Sequence, residues 1–219
     1  MRLIRRLSGL LAMLFFLPSC GSDAGVGDAS YQVSFTSTWS ATTHPDNFPT
    51  SPHFSGLIGA THNQYDNYWK INELATAGIE TMAETGSKAS LSDQINQNIA
   101  IGNTGSLISE AGISTSPGSL QFTLVLKQDY PLVTLVSMLA PSPDWFVGVS
   151  ALSLINAGQW LERKTVTLYV YDAGTDDGAS YTSADLDSTP KQVIQRIEAA
   201  PFLVDGNVKA VGELVFIKL

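Results

Sequence analysis

Apolar and polar side chains alternate at the start of the patterned part of the chain. Tyr31, Val33, Phe35 and Trp39 are separated by mostly polar residues, and this period of two is typical of a strand with one buried face. Further β-rich runs are bounded by Gly, Pro, Asn or Asp, and each predicts another strand. They are residues 120–127, 132–139, 146–152, 165–171 and 208–219. The pattern therefore predicts a mostly β protein built as an antiparallel sandwich.

Three segments have the spacing of helices. Residues 73–84 place apolar side chains on or near one face, and 90–101 carry Leu91, Ile95 and Ile99 at intervals of four. Pro190 opens a third segment, 191–199, with apolar side chains on one side, and it predicts a third short helix. Helices inserted between strands, without regular alternation, favour a decorated β-sandwich over a doubly wound sheet.

The N-terminus has the form of an export signal. A basic segment, 1–6, precedes a short apolar run, 7–17, and the sequence LPSCG at 17–21 resembles a bacterial lipoprotein cleavage site. Residues 1–19 are predicted to be a lipoprotein signal peptide, Cys20 the lipidated residue, 20–29 a flexible tether and 30–219 the folded domain. Gly21 lacks the acidic character of an inner-membrane retention signal, which favours the outer membrane. The alternatives are an ordinary signal peptide with a chance Cys and a transmembrane helix, and the second is disfavoured because the apolar run is too short to span a bilayer comfortably.

Composition narrows the range of partners. Cys20 is the only cysteine among 219 residues, so the exported domain has no disulfide. Removal of residues 1–19 takes three of the twelve basic residues and none of the twenty acidic ones, which leaves a formal charge of −11. Nucleic acid and anionic membrane surfaces are excluded as partners, because both require clustered Lys and Arg. The predicted contact with the membrane is the lipid anchor alone.

Two acidic loops carry the clearest candidate chemistry. The sequence PSPDW at 141–145 contains Asp144, and YDAGTDDG at 171–178 contains Asp172, Asp176 and Asp177. Calcium takes six to eight oxygen ligands in irregular geometry, so carboxylates from two loops suit it. The spacing does not fit an EF-hand. A plain polar turn remains the alternative, because Asp and Gly are common in loops.

Other candidates are weaker. His44, His53 and His62 are nine residues apart, a spacing that fits no zinc signature, so structural hydrogen bonds are favoured. Residues 148–152 begin like a nucleophile elbow but lack its closing glycine. The tryptophans could stack on a glycan, although indoles more often anchor cores. Trp145 is the preferred ligand contact because it follows Asp144. The tryptophans are Trp39, Trp69, Trp145 and Trp160.

Five motifs, in order along residues 30–219, resemble the spondin domain of animal matrix proteins. They are FTSTWS at 35–40, THPDNFP at 43–49, PHFSGLIGATH at 52–62, APSPDWFVGVS at 140–150 and DAGTD at 172–176. The resemblance implies a C2-like antiparallel β-sandwich that binds calcium, acts in extracellular adhesion and has no enzymatic activity. The calcium ligands that it implies are Asp144, Asp172 and Asp176. It assigns no role to Asp177.

The chain departs from the animal spondin domains in its cysteines, and this limits which of their properties can be expected here. The animal domains have two cysteines shortly after PSPDW, and residues 151–160 have none, so the ligand surfaces of the animal proteins cannot be assumed here. We expect a calcium-binding adhesion or recognition module, lipid-anchored outside the cytoplasm, with a protein or glycan ligand. The alternatives are a structural envelope protein stiffened by calcium and, less favoured, a secreted hydrolase.

Overall fold

The computed structural model describes residues 26–219. The helices are α1 (Ala77–Thr85) and α2 (Ala89–Ala100). The longer strands are β1 (Ala29–Ser37), β3 (Ile58–His62), β4 (Thr104–Ser109), β5 (Gly118–Leu126), β6 (Leu132–Ala140), β7 (Trp145–Ser153), β10 (Arg163–Leu168) and β15 (Gly212–Lys218). Two-residue strands are β2 (His53–Phe54), β8 (Ile155–Asn156), β9 (Gln159–Trp160), β11 (Tyr171–Asp172), β12 (Gln195–Arg196), β13 (Leu203–Val204) and β14 (Asn207–Val208).

Two antiparallel sheets form a sandwich. One has the order β10-β15-β1-β5, and the other has the order β12-β11-β7-β6-β3-β4, with β2 beside β6. The β1 residues alternate between buried and half-buried positions, so Tyr31, Val33 and Phe35 enter the core between the sheets. The predicted mostly β sandwich with inserted short helices is confirmed.

The central strands β3 and β6 of the second sheet are buried on both faces. The outer face of this sheet packs against α1 and α2, where Ile79, Met82, Leu91 and Ile95 form a second apolar cluster with side chains of the sheet. Nearly every residue of β6 is buried for this reason. A strand covered on both sides is apolar without alternation, and this explains the continuous apolar run at 132–139.

The two predicted helices in the middle of the chain are present, with shifted ends. Thr76 caps α1 by accepting a hydrogen bond from the Ile79 N–H at 3.3 Å, so the helix begins after residues 73–76. Gly86, at φ 69°, ends it. The helix α2 lies within one residue of its predicted bounds.

The predicted helix at 191–199 is wrong. This segment is extended and pairs with two distant parts of the chain: the Ile194 N–H donates to the Glu73 carbonyl at 2.9 Å, and Gln195–Arg196 pair with β11 as β12. Long-range pairing overrides a helical pattern of nine residues, because a helix that short is marginal by itself.

Candidate functional site

The two acidic loops meet at one end of the larger sheet. The loop with Asp144 joins β6 to β7, and the other acidic loop follows β11. Since β11 pairs with β7, Asp172 lies opposite Trp145. The Ala173 N–H donates to the Asp144 carbonyl at 3.2 Å. Strand pairing therefore joins segments that are 27 residues apart in sequence.

Asp144 is fully buried, and only one of its carboxylate oxygens is satisfied. Its Oδ2 accepts hydrogen bonds from the Thr175 N–H at 2.7 Å, the Asp176 N–H at 3.2 Å and the Thr175 hydroxyl at 3.3 Å. Its Oδ1 has no hydrogen-bond partner. An unpartnered buried carboxylate oxygen is costly, because the protein replaces none of the hydrogen bonds lost from water.

Burial and like charge both oppose ionisation at this position. The pKa of Asp144 is raised to about 6, mainly by burial and also by the charge of Asp172. The opposing groups are the neutral donors of Thr175 and Asp176. Burial is also the main cause of the raised pKa of Asp172. A bound cation would relieve this repulsion.

Asp172 and Asp176 hold the second loop through its backbone. The Gly174 N–H donates to Asp172 Oδ1 at 2.8 Å. The Gly178 N–H and the Leu186 N–H each donate to one oxygen of Asp176, both at 2.7 Å. These carboxylates close the local turns, and a carboxylate oxygen retains lone pairs with which it can also bind a metal ion.

A cavity of about 340 Å³ adjoins this loop. Its lining includes Trp145, Asp172, Asp176 and Asp177. Asp177, to which the spondin resemblance assigns no role, accepts a hydrogen bond from the Ser188 hydroxyl at 2.5 Å. Three carboxylates thus border a space that is open to small cations and water.

Sequence reasoning missed a second acidic group beside the loop. In the part of the chain that the structure describes, the three carboxylates whose oxygens all lie within 4.8 Å of one another belong to Glu80, Glu84 and Asp187. The three predicted aspartates do not form a group this close among the described residues. Glu80 and Glu84 lie on α1, and only tertiary structure brings that helix to the loop.

Trp145 lines part of the cavity. The residue is 3% exposed, and its ring packs edge-on against Tyr181 and Phe202. Its indole Nε1 completes no regular hydrogen bond, but it lies near the Asp172 carboxylate and opposes the rise in the pKa of that group. The other three tryptophans are also buried, so they present no stacking surface. Contact of Trp145 with a ligand stays a prediction.

The three histidines lie in different surroundings. His44 packs against Phe202, the Nδ1 of His53 lies 2.8 Å from the Ser51 carbonyl oxygen, and the Nε2 of His62 lies 2.8 Å from the Thr134 hydroxyl. They do not form a cluster of metal ligands among the described residues.

Ser150 is engaged in structure as well. Its hydroxyl donates to the Trp69 carbonyl, and the residue lies on β7. It therefore lacks the sharp strand-to-helix turn that exposes a nucleophilic serine.

The predicted signal peptide, Cys20 and most of the predicted tether lie outside the described residues. At the start of the described residues, Val26 packs against the core, and the Trp160 indole N–H donates to the Gly27 carbonyl at 2.9 Å. Within residues 26–219, no helix is long and apolar enough to cross a membrane.

Comparison with known proteins identifies relatives. The family described as Spondin_N matches residues 29–203. Spondin-2 of Homo sapiens is 31% identical over 176 residues, which cover 78% of this chain and 53% of that protein. Spondin-1 of Gallus gallus is 29% identical over 205 residues, which cover 86% of this chain and 25% of that protein. The chain thus spans about half the length of Spondin-2 and a quarter of Spondin-1. Because the match takes in most of the described sandwich and both acidic loops, the chain belongs to the Spondin_N family.

Proposed function

We propose that this protein is a calcium-binding recognition module of the spondin type, held outside the cytoplasm by a lipid on Cys20. The observation that carries the calcium part is the buried Asp144 carboxylate, with one oxygen unpartnered and the charge of Asp172 beside it. Asp144, Asp172 and Asp176 would hold the ion. Calcium would neutralise the repulsion between the loops.

Donor chemistry favours calcium over other metals. The residues offered are carboxylates together with backbone carbonyls, and hard cations prefer oxygen ligands. The two loops give irregular geometry, which calcium tolerates and magnesium does not. His and Cys, the usual ligands of zinc, are not among the residues that line the cavity.

We propose recognition of a protein or glycan as the role of the domain, with no enzymatic activity. The spondin resemblance supports extracellular adhesion. The hydrolase alternative loses support because the Ser150 hydroxyl is bound to the Trp69 carbonyl. The structural alternative, in which calcium only stiffens the loops, gains support from the backbone hydrogen bonds of Asp176.

Thermal unfolding tests calcium binding. A ligand that binds only the folded state stabilises it, by about 2.7 kcal/mol at a hundredfold excess over its dissociation constant. Calcium should therefore raise the melting temperature of chelator-treated protein by several degrees, and magnesium should raise it much less. An equal melting temperature with calcium and with chelator would contradict the proposal. Pull-down of envelope partners with and without chelator would separate recognition from a structural role.

A further inference from the structure

A second cavity, of about 480 Å³, lies between the edges of the two sheets. Residues 148–152 of β7 all line it, together with Val166 and Thr167 of β10. Successive side chains of a strand point to opposite faces, so a cavity that meets consecutive residues lies along the edge of the strand. The edges of β7 and β10 therefore border this cavity, which shares no lining residue with the cavity beside the acidic loops.

Both edges are free of backbone partners on this side. The strand β7 pairs with β6 on one side, and on the other side it pairs with β11 only at Trp145 and Phe146. The strand β10 pairs with β15 alone. Within residues 26–219, no other backbone–backbone hydrogen bond reaches 147–152 or 163–167. A free strand edge offers a row of N–H and C=O groups to an added strand.

The wall of the cavity also carries a buried donor without an acceptor. Trp69 lines the cavity, is 5% exposed and packs edge-on against Phe146. Its indole Nε1 has no hydrogen-bond partner. A buried N–H without an acceptor is costly, because the hydrogen bond that it made with water is not replaced. A ligand that brings a carbonyl oxygen into the cavity supplies such an acceptor.

The charges around the cavity favour an acidic ligand. Among the described residues, the lining has one charged side chain, that of Lys70, and no acidic one. Lys164 precedes Val166 by two residues, so it lies on the same face of β10. None of the ion pairs found in residues 26–219 includes Lys164. Lys70 pairs with the exposed Glu73, and such surface pairs are weak. A chain that is acidic as a whole therefore presents positive charge at this edge.

We propose that this cavity is a docking site for an extended acidic segment of a partner protein, which adds to β7 as a strand along 148–152. The backbone of the segment pairs with the free edge, an apolar side chain enters beside Trp69 and Val166, and its carboxylates face Lys70 and Lys164. Strand addition of this kind takes its affinity from backbone hydrogen bonds and its specificity from side-chain pockets. This docking site rests on the proposed recognition role, for which it names the class of partner, and does not depend on calcium.

Synthetic peptides test the docking site. The probes are fluorescein-labelled peptides of about seven residues, which span 148–152 with a margin at each end. They alternate glutamate with β-branched or aromatic residues, and the central apolar residue is varied through the series. At least one should bind with a dissociation constant below about 1 mM in fluorescence anisotropy, and its counterpart with lysine for glutamate should bind about tenfold more weakly. Failure of the whole series to bind would overturn the proposal.

Backbone methylation distinguishes strand addition from simple burial of side chains. Alternate amides of an added strand face its neighbour. Of the two alternate sets of amides in the best peptide, N-methylation of one should abolish binding, and N-methylation of the other should spare it. The bound peptide should also slow amide hydrogen exchange in 147–152 and leave exchange in β5, the other edge of the smaller sheet, unchanged. Equal effects of the two methylated sets, or unchanged exchange in 147–152, would overturn strand addition.

Ala151 offers a matched pair of variants. It lines the cavity, is exposed and has φ 46°, a conformation that Asp and Asn tolerate better than most residues. Ala151→Asp adds a negative charge and should weaken binding of the acidic peptide about tenfold, whereas Ala151→Asn, with nearly the same shape, should change it less than about threefold. Equal affinities of the two variants would overturn the assignment of an acidic partner.

The outcomes separate this site from the proposed function. Peptide binding should be the same in calcium and in chelator, because the two cavities share no lining residue. If calcium does not bind and a peptide does, the calcium proposal is overturned alone. If no peptide binds while an envelope partner is still pulled down by Ala151→Asp, the recognition role stands and this docking site is overturned.

Discussion

Asp144 is completely buried, and only one of its two carboxylate oxygens accepts hydrogen bonds. Its Oδ2 is tied to the backbone of the second loop, and its Oδ1 has no partner. A proton or a cation can relieve the unpartnered oxygen, and the two compete for it. The behaviour of this residue with pH therefore reports on the metal-free site.

Calcium affinity should fall as the pH falls through about 6, the pKa to which burial and Asp172 raise Asp144. Below that pH a proton occupies the carboxyl group, and each further unit should weaken binding about tenfold until other groups titrate. Titrations at pH 7.5 and pH 5 measure this. Equal affinity at both values would contradict the assignment of Asp144 as a ligand.

Metal-free stability should show the same group with a definite sign. Because the folded pKa is raised from 3.8 to about 6, the favourable contribution of Asp144 is complete below about pH 4 and is lost as the pH rises through 6. The loss is up to about 3 kcal/mol. Urea unfolding in chelator measures it as the difference between wild type and Asp144→Asn, which cancels the titration of His44 and His62. Between pH 4 and pH 7, the free energy of unfolding of the wild type should fall relative to that of Asp144→Asn. A difference that does not change with pH would contradict this prediction.

At the scale of elements, the loop after β11 depends on a glycine. Gly174 has φ 73°, and a Cβ there would lie 2.4 Å from the Gln192 carbonyl oxygen. Gly174→Ala should destabilise the protein by roughly 1–3 kcal/mol, because alanine is strained at this positive φ and its Cβ would displace the backbone at Gln192. It should also weaken calcium binding, because Asp172 and Asp176 flank this turn.

Gly158→Ala is the matched control. Gly158 has a similar φ of 74°, but a Cβ there would meet nothing within 4 Å. It should cost about 1 kcal/mol and leave calcium affinity unchanged. Urea unfolding and calcium titration compare the two variants. Equal effects would mean that the close approach of Gln192 has no influence on the site.

The elements differ in how far sequence alone predicts them. The alternation at 31–39 identifies β1, because one face of this strand is buried and the other is only half-buried. The strand β3 escapes prediction because, although all its residues are buried, as nearly all are in β6, Gly59, Thr61 and His62 interrupt the apolar run that would reveal it. The segment 191–199 is wrongly predicted as a helix because its structure depends on pairing with residues 73 and 171–172, which are distant in sequence.

The site shows the same division. Asp144, Asp172 and Asp176 are identifiable as candidate ligands because they lie in short motifs with ligand chemistry. Glu84 has no such signal: in the sequence it is one of several acidic residues on an amphipathic helix. Its position beside Asp187 follows from the packing of α1 on the outer face of the larger sheet.

At the scale of the whole molecule, the predicted lipid anchor would act against the negative charge of the domain. The anchor would hold a domain of formal charge −11 near a membrane that repels it, so attachment would depend on the acyl chains alone. Cys20→Ser should therefore move the protein from the membrane fraction to the soluble fraction. Fractionation followed by immunodetection measures this, with Ser22→Ala as a control that keeps Cys20. Unchanged partitioning of Cys20→Ser would refute the lipoprotein prediction.

Calorimetric titration of calcium into the purified domain tests the central claim most directly. The wild type should bind calcium, Asp144→Asn should bind it at least tenfold more weakly, a loss of roughly 1.4 kcal/mol, and the exposed control Asp46→Asn should match the wild type. Asp172→Asn and Asp176→Asn should follow Asp144→Asn. Binding by Asp144→Asn with wild-type affinity would contradict the account, because the buried carboxylate would then have no part in holding the ion.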